Sequence, residues 1–533
     1  MMDLSDRLVI KDGNVFAVIP RDGAWSGADG VWMDDCRHVS RHELLIDGSS
    51  PRALHADDDA GHTSVHHYGG GARLERRVHA DGTMIERVVG HGTIAIATDA
   101  DFVTMFGLRG FVPRTARPGH ATELLRHEAR GELRVEYRFS PAPQPPAAVA
   151  FAAPPVTCND DRFAGVLRRA FGDLQMLLSW LDGEPYFAAG IPWYATLFGR
   201  DSLIAAIQTM AFAPAVAAGT LRLLAAHIGR EDDPAREEEA GKILHELRPG
   251  ETGTPFARYY GSVDATPLFE LALEATGDAT LQAELEPAAQ AARAWIARRD
   301  PLTYNAGVLR HQGWKDSADG VPVADPVALI EPQAYAGRDV EAFWLRRRGY
   351  YAMALGTDVL ASNQGHVLWV QDIAPARARA VRDALMSPAM FSGWGIRTLA
   401  ADEPLYDPLS YHLGSVWPHD TALCAAGLRR HGFHEDFLVL FDALVDAASA
   451  APGRSLPELL GGHARVTGEP FVPYPVACRP QAWAAGAIPF LLAEGLRGPH
   501  PQLPRGVNEL RIEGFVQATR TARGDVQVTW ELR

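Results

Sequence analysis

Over the first 140 residues the apolar positions arrive in short bursts: Leu8-Val9-Ile10, Val15-Phe16-Ala17-Val18-Ile19, Ile85-Glu86-Arg87-Val88-Val89 and Thr93-Ile94-Ala95-Ile96-Ala97. Each is rich in β-branched residues, which suit the pleated surface of a strand. Asp12-Gly13, Asp22-Gly23, Asp47-Gly48, Asp81-Gly82 and His91-Gly92 punctuate them, and such pairs supply the positive φ of tight turns. This spacing predicts an antiparallel β-sandwich domain over 1–140. Pro141-Ala142-Pro143-Gln144-Pro145-Pro146 and Pro154-Pro155 follow. Proline removes donors and favours extended backbone, so 141–157 reads as a linker.

From residue 158 the period becomes helical. Phe163, Val166, Leu167, Phe171, Leu174, Leu177 and Leu178 recur at three- and four-residue intervals on one face. Similar stretches lie at 201–213, 214–229, 263–275, 279–298, 338–355, 374–387, 414–431, 435–449 and 480–495. The loops between them are loaded with Gly, Pro, Trp, Tyr and Asp. Amphipathic helices in succession imply stacked helix pairs, and the lack of a fixed-period repeat favours a closed double ring over an open solenoid. A mainly α catalytic domain over 158–500 is expected. Leu510-Arg511-Ile512 and Val526-Gln527-Val528-Thr529-Trp530 return to alternation, so 501–533 is expected to add strands, with the first domain as the candidate surface.

Composition narrows the partners. A chain of 533 residues exceeds one ordinary domain, and 47% apolar with 22% charged residues describes a globular protein with an ample core. The longest apolar run, residues 147–153, falls far short of the roughly eighteen residues that span a bilayer. Met1-Met2-Asp3-Leu4-Ser5-Asp6 lacks a basic region followed by an apolar one, so no secretory signal is expected and cytoplasmic residence is. A net charge of −15 repels phosphate backbones and anionic lipid, excluding nucleic acid and membrane as partners. Neutral small molecules remain. Cys36, Cys158, Cys424 and Cys478 lie far apart, which argues against a disulfide framework and a Cys-rich zinc site. His62, His66 and His67 are expected in a solvated loop rather than on a metal. Gly69-Gly70-Gly71 lacks the Lys and Ser/Thr of a phosphate loop, so nucleotide binding is rejected and no cofactor is expected.

The candidate chemistry sits in the helical loops: 190–201, 313–317, 330–335, 415–420, 456–459 and 480–483. Most join an indole or phenol to a charged or amide group. Sugars ask for that combination, because their C–H faces stack on aromatics while their hydroxyls bond carboxylates, Arg and amides. Glycosidic cleavage further needs two carboxyls, one giving a proton to the departing oxygen and one activating water or attacking carbon.

Three pieces, Phe198-Gly199-Arg200-Asp201-Ser202, Gly313-Trp314-Lys315-Asp316-Ser317 and Leu456-Pro457-Glu458-Leu459 with Gln481-Ala482-Trp483, resemble the glycogen-debranching (amylo-α-1,6-glucosidase) group of glycoside hydrolases in order and spacing. The resemblance covers roughly 158–495. Glucosidase I and mannosylglycerate hydrolases are more distant relatives, and residues 1–140 look like the β-rich amino-terminal domain of debranching-like proteins. The resemblance implies an (α/α)6 toroid, a six-hairpin glycosidase, with Asp316 as general acid, Glu458 as general base and inversion at the anomeric carbon. Inversion would set the carboxyls about 6.5–9.5 Å apart, against about 5–5.5 Å for retention. The chain lacks the glucanotransferase domain of the debranching enzyme proper, so an α-linked glucoside or related oligosaccharide, cut from its non-reducing end, is the expected substrate rather than glycogen.

The remaining candidates each keep a structural reading beside the functional one. Asp201 and Asp420 stand where helix caps stand, and equally where Arg200, Asp201, His419 and Asp420 could bind sugar hydroxyls. Trp193, Trp314, Trp417 and Trp483 are subsite walls or core. Lys315 either points away from Asp316 or binds a hydroxyl, and Glu331, Tyr335 and Gln481 are plausible hydroxyl ligands. Asp319 is the fallback acid and Glu469 the rival base. An epimerase using His412 and His419, or a non-catalytic sugar-binding protein, are the alternative functions. Oligomeric state is left open by the sequence.

Overall fold

A computed structural model describes residues 6–58, 61–79, 81–109, 125–139, 150–249, 251 and 255–531; the proline run at 141–146 lies outside them. The amino-terminal strands are β1 (Arg7–Asp12), β2 (Val15–Pro20), β3 (Gly30–Met33), β4 (Cys36–Val39), β5 (Arg41–Ile46), β6 (His55–Asp58), β7 (Thr63–His67), β8 (Arg73–His79), β9 (Thr83–Asp99) and β10 (Leu125–Arg138). β1 to β4 form one antiparallel sheet in chain order. The other runs β10-β9-β8-β7-β6, with β5 also paired to β9.

β2 explains why Val15–Ile19 shows no alternation. Val15, Ala17 and Ile19 join Leu74, Val78, Met84 and Val88 in the cluster between the two sheets, while Phe16 and Val18 join Trp32 against the helices. A strand covered on both faces reads as a continuous apolar run. The expected turn at His91-Gly92 is corrected: β9 continues through it, pairing with β10 along its length and with β5 beyond Gly92. Asp47 Oδ1 accepts the Thr93 N–H at 2.8 Å there, fastening the bend at Gly92 (φ 88°) without ending the strand. His62, His66 and His67 are likewise not a solvated loop. His66 and His67 lie on β7, and the buried His66 ring bonds the Pro20 carbonyl at 3.0 Å.

The helices are α1 (Met105–Arg109), α2 (Asp161–Leu177), α3 (Gly199–Thr209), α4 (Pro214–Ala226), α5 (Ala265–Ala275), α6 (Ala279–Ala297), α7 (Ile330–Tyr335), α8 (Gln364–Val370), α9 (Pro375–Leu385), α10 (Pro418–Arg430), α11 (His434–Ala450) and α12 (Ala482–Leu496). Their starts follow local chemistry. Asp160 caps α2 by accepting the Phe163 N–H at 3.0 Å, and α4, α9 and α10 open on proline, whose missing donor costs nothing at a helix start.

α3 packs on α5, α5 on α7, α7 on α8, α8 on α10, α10 on α12, and α12 back on α3, so these helices close a cycle. α2, α4, α6, α9 and α11 pack outside it, against α12, α3, α5, α8 and α10 respectively. Burial follows the layer: every residue of α3 except Ile207 is buried, and every residue of α12 except Glu494. α2 and α6 bury one face. Helix accounts for only 32%, less than a mainly α reading suggests, because among the described residues six sheets and long loops take the rest.

The helix expected at 338–355 is a single 3-10 turn (Glu341–Phe343) followed by a hairpin pairing Trp344–Leu345 with Tyr350–Tyr351. Three successive arginines, 346–348, and Gly349 at φ 77° make that turn. Conversely α7, read as a loop, is a helix of six residues, too short for periodicity to register. The strands Glu509–Ile512, Val516–Arg520 and Val526–Trp530 continue a sheet begun by β11 (Val156–Cys158). Leu510, Ile512, Val516 and Ala518 bury into the helical core, correcting the expectation that this segment returns to the first domain. Among the described residues no helix is long and apolar enough to cross a membrane, and Cys158, Cys424 and Cys478 carry free thiols.

Candidate active site

The first turns of α3 and α12 and the residue preceding α10 bring Asp201, Trp483 and Trp417 to one cavity of about 1340 Å³. Helix N-termini carry partial positive charge, which suits a site dense in carboxylates. Trp193, Trp314, Asp316 and Glu458 complete the expected residues on its wall. The indoles form a connected set: Trp314 meets Trp417 at 5.8 Å and Trp417 meets Trp483 at 5.9 Å, both edge to face.

Glu458 is buried, at 1% exposure. One carboxylate oxygen accepts from the Tyr411 hydroxyl and the other from the Cys478 N–H at 2.8 Å. Burial pushes its pKa up to about 7; the two hydrogen bonds and Arg109 oppose the rise, and the Asp316 charge adds to it. Asp316 keeps a quarter of its side chain exposed. Its Oδ2 accepts from Arg200 Nη2 at 2.6 Å. Burial and Asp264 raise its pKa above the usual carboxylate value against the pull of Arg200. Asp201 is pushed up to about 8, by burial first, with Arg200 opposing and Asp316, Glu458 and Asp264 reinforcing.

Arg200 organises this cluster from behind the wall. Fully buried, it donates to the Gly313 carbonyl at 2.7 Å, approaches Asp264 at 3.4 Å and holds Asp316. Burial works against its charge, but Asp264, Asp316 and Asp201 outweigh that. Of its two expected roles, holding Asp201 or binding the sugar ring, this position behind the wall and 4.0 Å from Asp201 Oδ2 fits the first. Lys315, Glu331, Tyr335, His419, Asp420 and Gln481 likewise stand behind the cavity surface. Lys315 Nζ donates to Asn363 Oδ1 and the Thr398 carbonyl, both at 2.6 Å, pointing away from Asp316. Glu331 accepts from Asn363 at 3.0 Å. Tyr335 bonds His366, which bonds Asp420 at 2.8 Å. His419 stacks on Trp483 at 3.8 Å, with its ring planes 9° apart. Gln481 immediately precedes α12 and bridges to Gly190.

The rivals separate clearly. Asp319 lines the cavity, but hydrogen bonds from Ser317 and Ser410 outweigh its burial and lower its pKa, which suits an anion rather than an acid. Glu469 is exposed on a turn, away from the cavity. His412 and His419 are both driven well below the usual imidazole pKa, by burial first, which keeps them neutral. Only His412 reaches the cavity, where its Nδ1 lies 2.8 Å from Ser317 Oγ.

Several wall residues were not singled out from the sequence, although Tyr194 and Phe198 lie in a recognised loop. Tyr194, Phe198, His245, Arg248, Tyr411 and Tyr474 come from the helical part, and Phe106, Leu108 and Arg109 from α1 of the sheet part. Tyr411 precedes a recognised loop by four residues and could have been added to it; α1 had no periodic pattern to find. Arg248 joins the parts: it bonds Asp35 at 2.9 Å, Glu246 at 2.8 Å and the Trp193 carbonyl at 3.1 Å, with its guanidinium over the Phe106 ring. The Phe106 N–H donates to Glu251 at 3.2 Å.

The chain resembles the glycogen-debranching-like glycoside hydrolases. Residues 10–92 match the model of the N-terminal domain of some glycogen debranching enzymes, and residues 359–458 match the mannosylglycerate hydrolase MGH1-like glycoside hydrolase domain. The second match contains Tyr411 and ends on Glu458. No curated protein matches the chain. Among solved structures, a GH63 mannosylglycerate hydrolase from Thermus thermophilus, in complex with Tris and D-glycerate, is 14% identical, covering 61% of this chain and 99% of its own with a TM-score of 0.45. A wild-type glycosidase is 15% identical over 62% of this chain and 96% of its own, also with a TM-score of 0.45.

Proposed function

We propose that the protein is a glycoside hydrolase that removes an α-linked glucosyl or related residue from the non-reducing end of a small oligosaccharide or glycoside by inverting displacement. The observation that carries this reading is the pair of carboxyls with raised pKa, Glu458 buried and Asp316 a quarter exposed, on one indole-lined cavity. A raised pKa favours the protonated form that a general acid needs, and a general base works best when its pKa lies near the operating pH.

In this reading the sugar faces lie on Trp314, Trp417 and Trp483, and Asp201 binds hydroxyls. The Asp316 proton passes to the glycosidic oxygen as the bond from that oxygen to the anomeric carbon breaks. Water bonds the same carbon from the other side and gives its proton to Glu458. The Tyr411 hydroxyl and the Cys478 N–H aim the Glu458 carboxylate and favour its ionised form. We take the closed cycle of α3, α5, α7, α8, α10 and α12 as the inner ring of an (α/α)6 toroid, and the two amino-terminal sheets as a β-sandwich. The domains of the reading are 1–140, 158–500 and a strand-bearing tail over 501–533, joined by the segment 141–157. Free thiols at Cys158, Cys424 and Cys478 suit a reducing compartment, and a cytoplasmic site of action belongs to the same reading.

The test is a panel of aryl and oligosaccharide glycosides of both anomers, assayed with wild type, Asp316→Asn and Glu458→Gln, with proton NMR of the first product. The expected results are turnover of an α-glycoside, a β-configured first product and a loss of about 10²–10⁴-fold in each variant. Undiminished turnover in either variant, or an α-configured first product, overturns the assignment.

A further inference from the structure

A second cluster of ligating side chains lies on the sheet part. β6 and β7 pair antiparallel with His55 opposite His67 and Asp57 opposite Val65. Side chains two residues apart on a strand share a face, so His55 and Asp57 project beside His67. The two imidazoles stack at 4.2 Å with planes 11° apart. His67 Nε2 lies 3.7 Å and His55 Nε2 4.0 Å from Asp57 Oδ2, and one ligating atom of each residue falls within 4.8 Å of the others. None of the three lines the catalytic cavity.

We infer that His55, Asp57 and His67 bind one divalent transition-metal ion of the zinc, nickel or copper kind. An ion about 2.0–2.2 Å from two imidazole nitrogens and a carboxylate oxygen sets its donors roughly 3–3.5 Å apart. Rotation of exposed side chains closes the remaining gap without moving either strand. Two imidazoles with one carboxylate select against calcium and magnesium, which take oxygen ligands. Arg73, opposite His67 on β8, has its guanidinium on Glu75 at 3.1 Å, so its charge is partly neutralised beside the site. With Asp57 at 69% and His55 at 61% exposure, the ion keeps coordination positions open to solvent, and this is an exchangeable surface site.

The test titrates the full chain, free of any affinity tag, with Zn²⁺ and separately Ni²⁺ by calorimetry. The expected result is one equivalent bound with a Kd below about 100 μM, weakened at least about tenfold by His55→Ala and by His67→Ala. Asp316→Asn and Glu458→Gln leave the uptake unchanged, separating this ion from one held by the catalytic carboxylates. No saturable uptake below about 1 mM, or uptake undiminished in the His55→Ala, His67→Ala double variant, overturns the inference.

Discussion

Tyr411→Phe isolates the environment of Glu458, the proposed water-activating carboxylate. The phenol donates to Glu458, whose pKa stands at about 7 because burial outweighs this bond and the Cys478 N–H. A hydrogen bond to a charged group contributes about 1.5–3 kcal/mol, and one pKa unit corresponds to about 1.36 kcal/mol. The bond favours the ionised carboxylate, so deleting it raises the Glu458 pKa by about one to two units. The base acts when ionised, so the acid limb of kcat/KM moves from about 7 to about 8–9. At pH 7 the ionised fraction falls from about a half to between a tenth and a hundredth, and activity falls roughly five- to fifty-fold. The assay is kcat/KM across pH 5–10 on the best glycoside of the panel, with Tyr194→Phe as comparator, since that hydroxyl lies 3.4 Å from Tyr411 but has no bond to Glu458. Lost activity returns as the pH is raised. A limb that stays in place, or a loss of equal size at every pH, refutes the reasoning.

Other outcomes follow from the same geometry. Asp316→Asn lowers kcat by about 10²–10⁴-fold on poor leaving groups and spares dinitrophenyl glycosides, which leave without a proton, whereas Asp319→Asn alters neither rate; the reverse pattern in a leaving-group series would exchange their roles. Arg200→Met leaves Asp264 and Asp316 without their shared cation, and breaking such a buried network costs about 3–5 kcal/mol; an unchanged denaturation midpoint counts against it. Asp201 keeps its proton to about 8 in the folded chain but only to about 3.9 when unfolded. The folded form therefore binds more protons between those values, and wild type loses stability as pH rises through them. Asp201→Asn lacks this loss, so its melting temperature gains on wild type from pH 5 to pH 9, and a pH-independent difference contradicts the assignment. Gly199→Ala places a Cβ 2.0 Å from the Leu244 carbonyl oxygen, an overpacking worth about 1–3 kcal/mol that thermal unfolding reads directly.

Local pattern carried the long elements. The apolar stripe of α2 and the strand Arg7–Asp12 are properties of neighbouring residues, and both stand where they were expected, whereas β9 fuses two expected strands. The site divides differently. Asp316 and Glu458, picked out through the family resemblance, do meet on one cavity. Arg200, Lys315 and Glu331 lie in equally suggestive loops, yet their side chains turn behind the wall. Spacing states that a residue is near a site without stating which way it points, and adjacent Lys315 and Asp316 diverge. Tyr411 reaches Glu458 across forty-seven residues, a contact made only by tertiary packing. The 338–355 stretch failed because its apolar spacing mimics a helix while Gly349 and three arginines dictate a turn.

The helix Met105–Arg109 places Phe106, Leu108 and Arg109 on the cavity from a stretch of chain that supplies neither proposed catalytic carboxyl. Under the proposed function, contact with the leaving portion and the acid–base chemistry therefore rest on separate stretches of chain, so substitutions at Phe106, Leu108 or Arg109 change which leaving portion is accepted without touching either carboxyl.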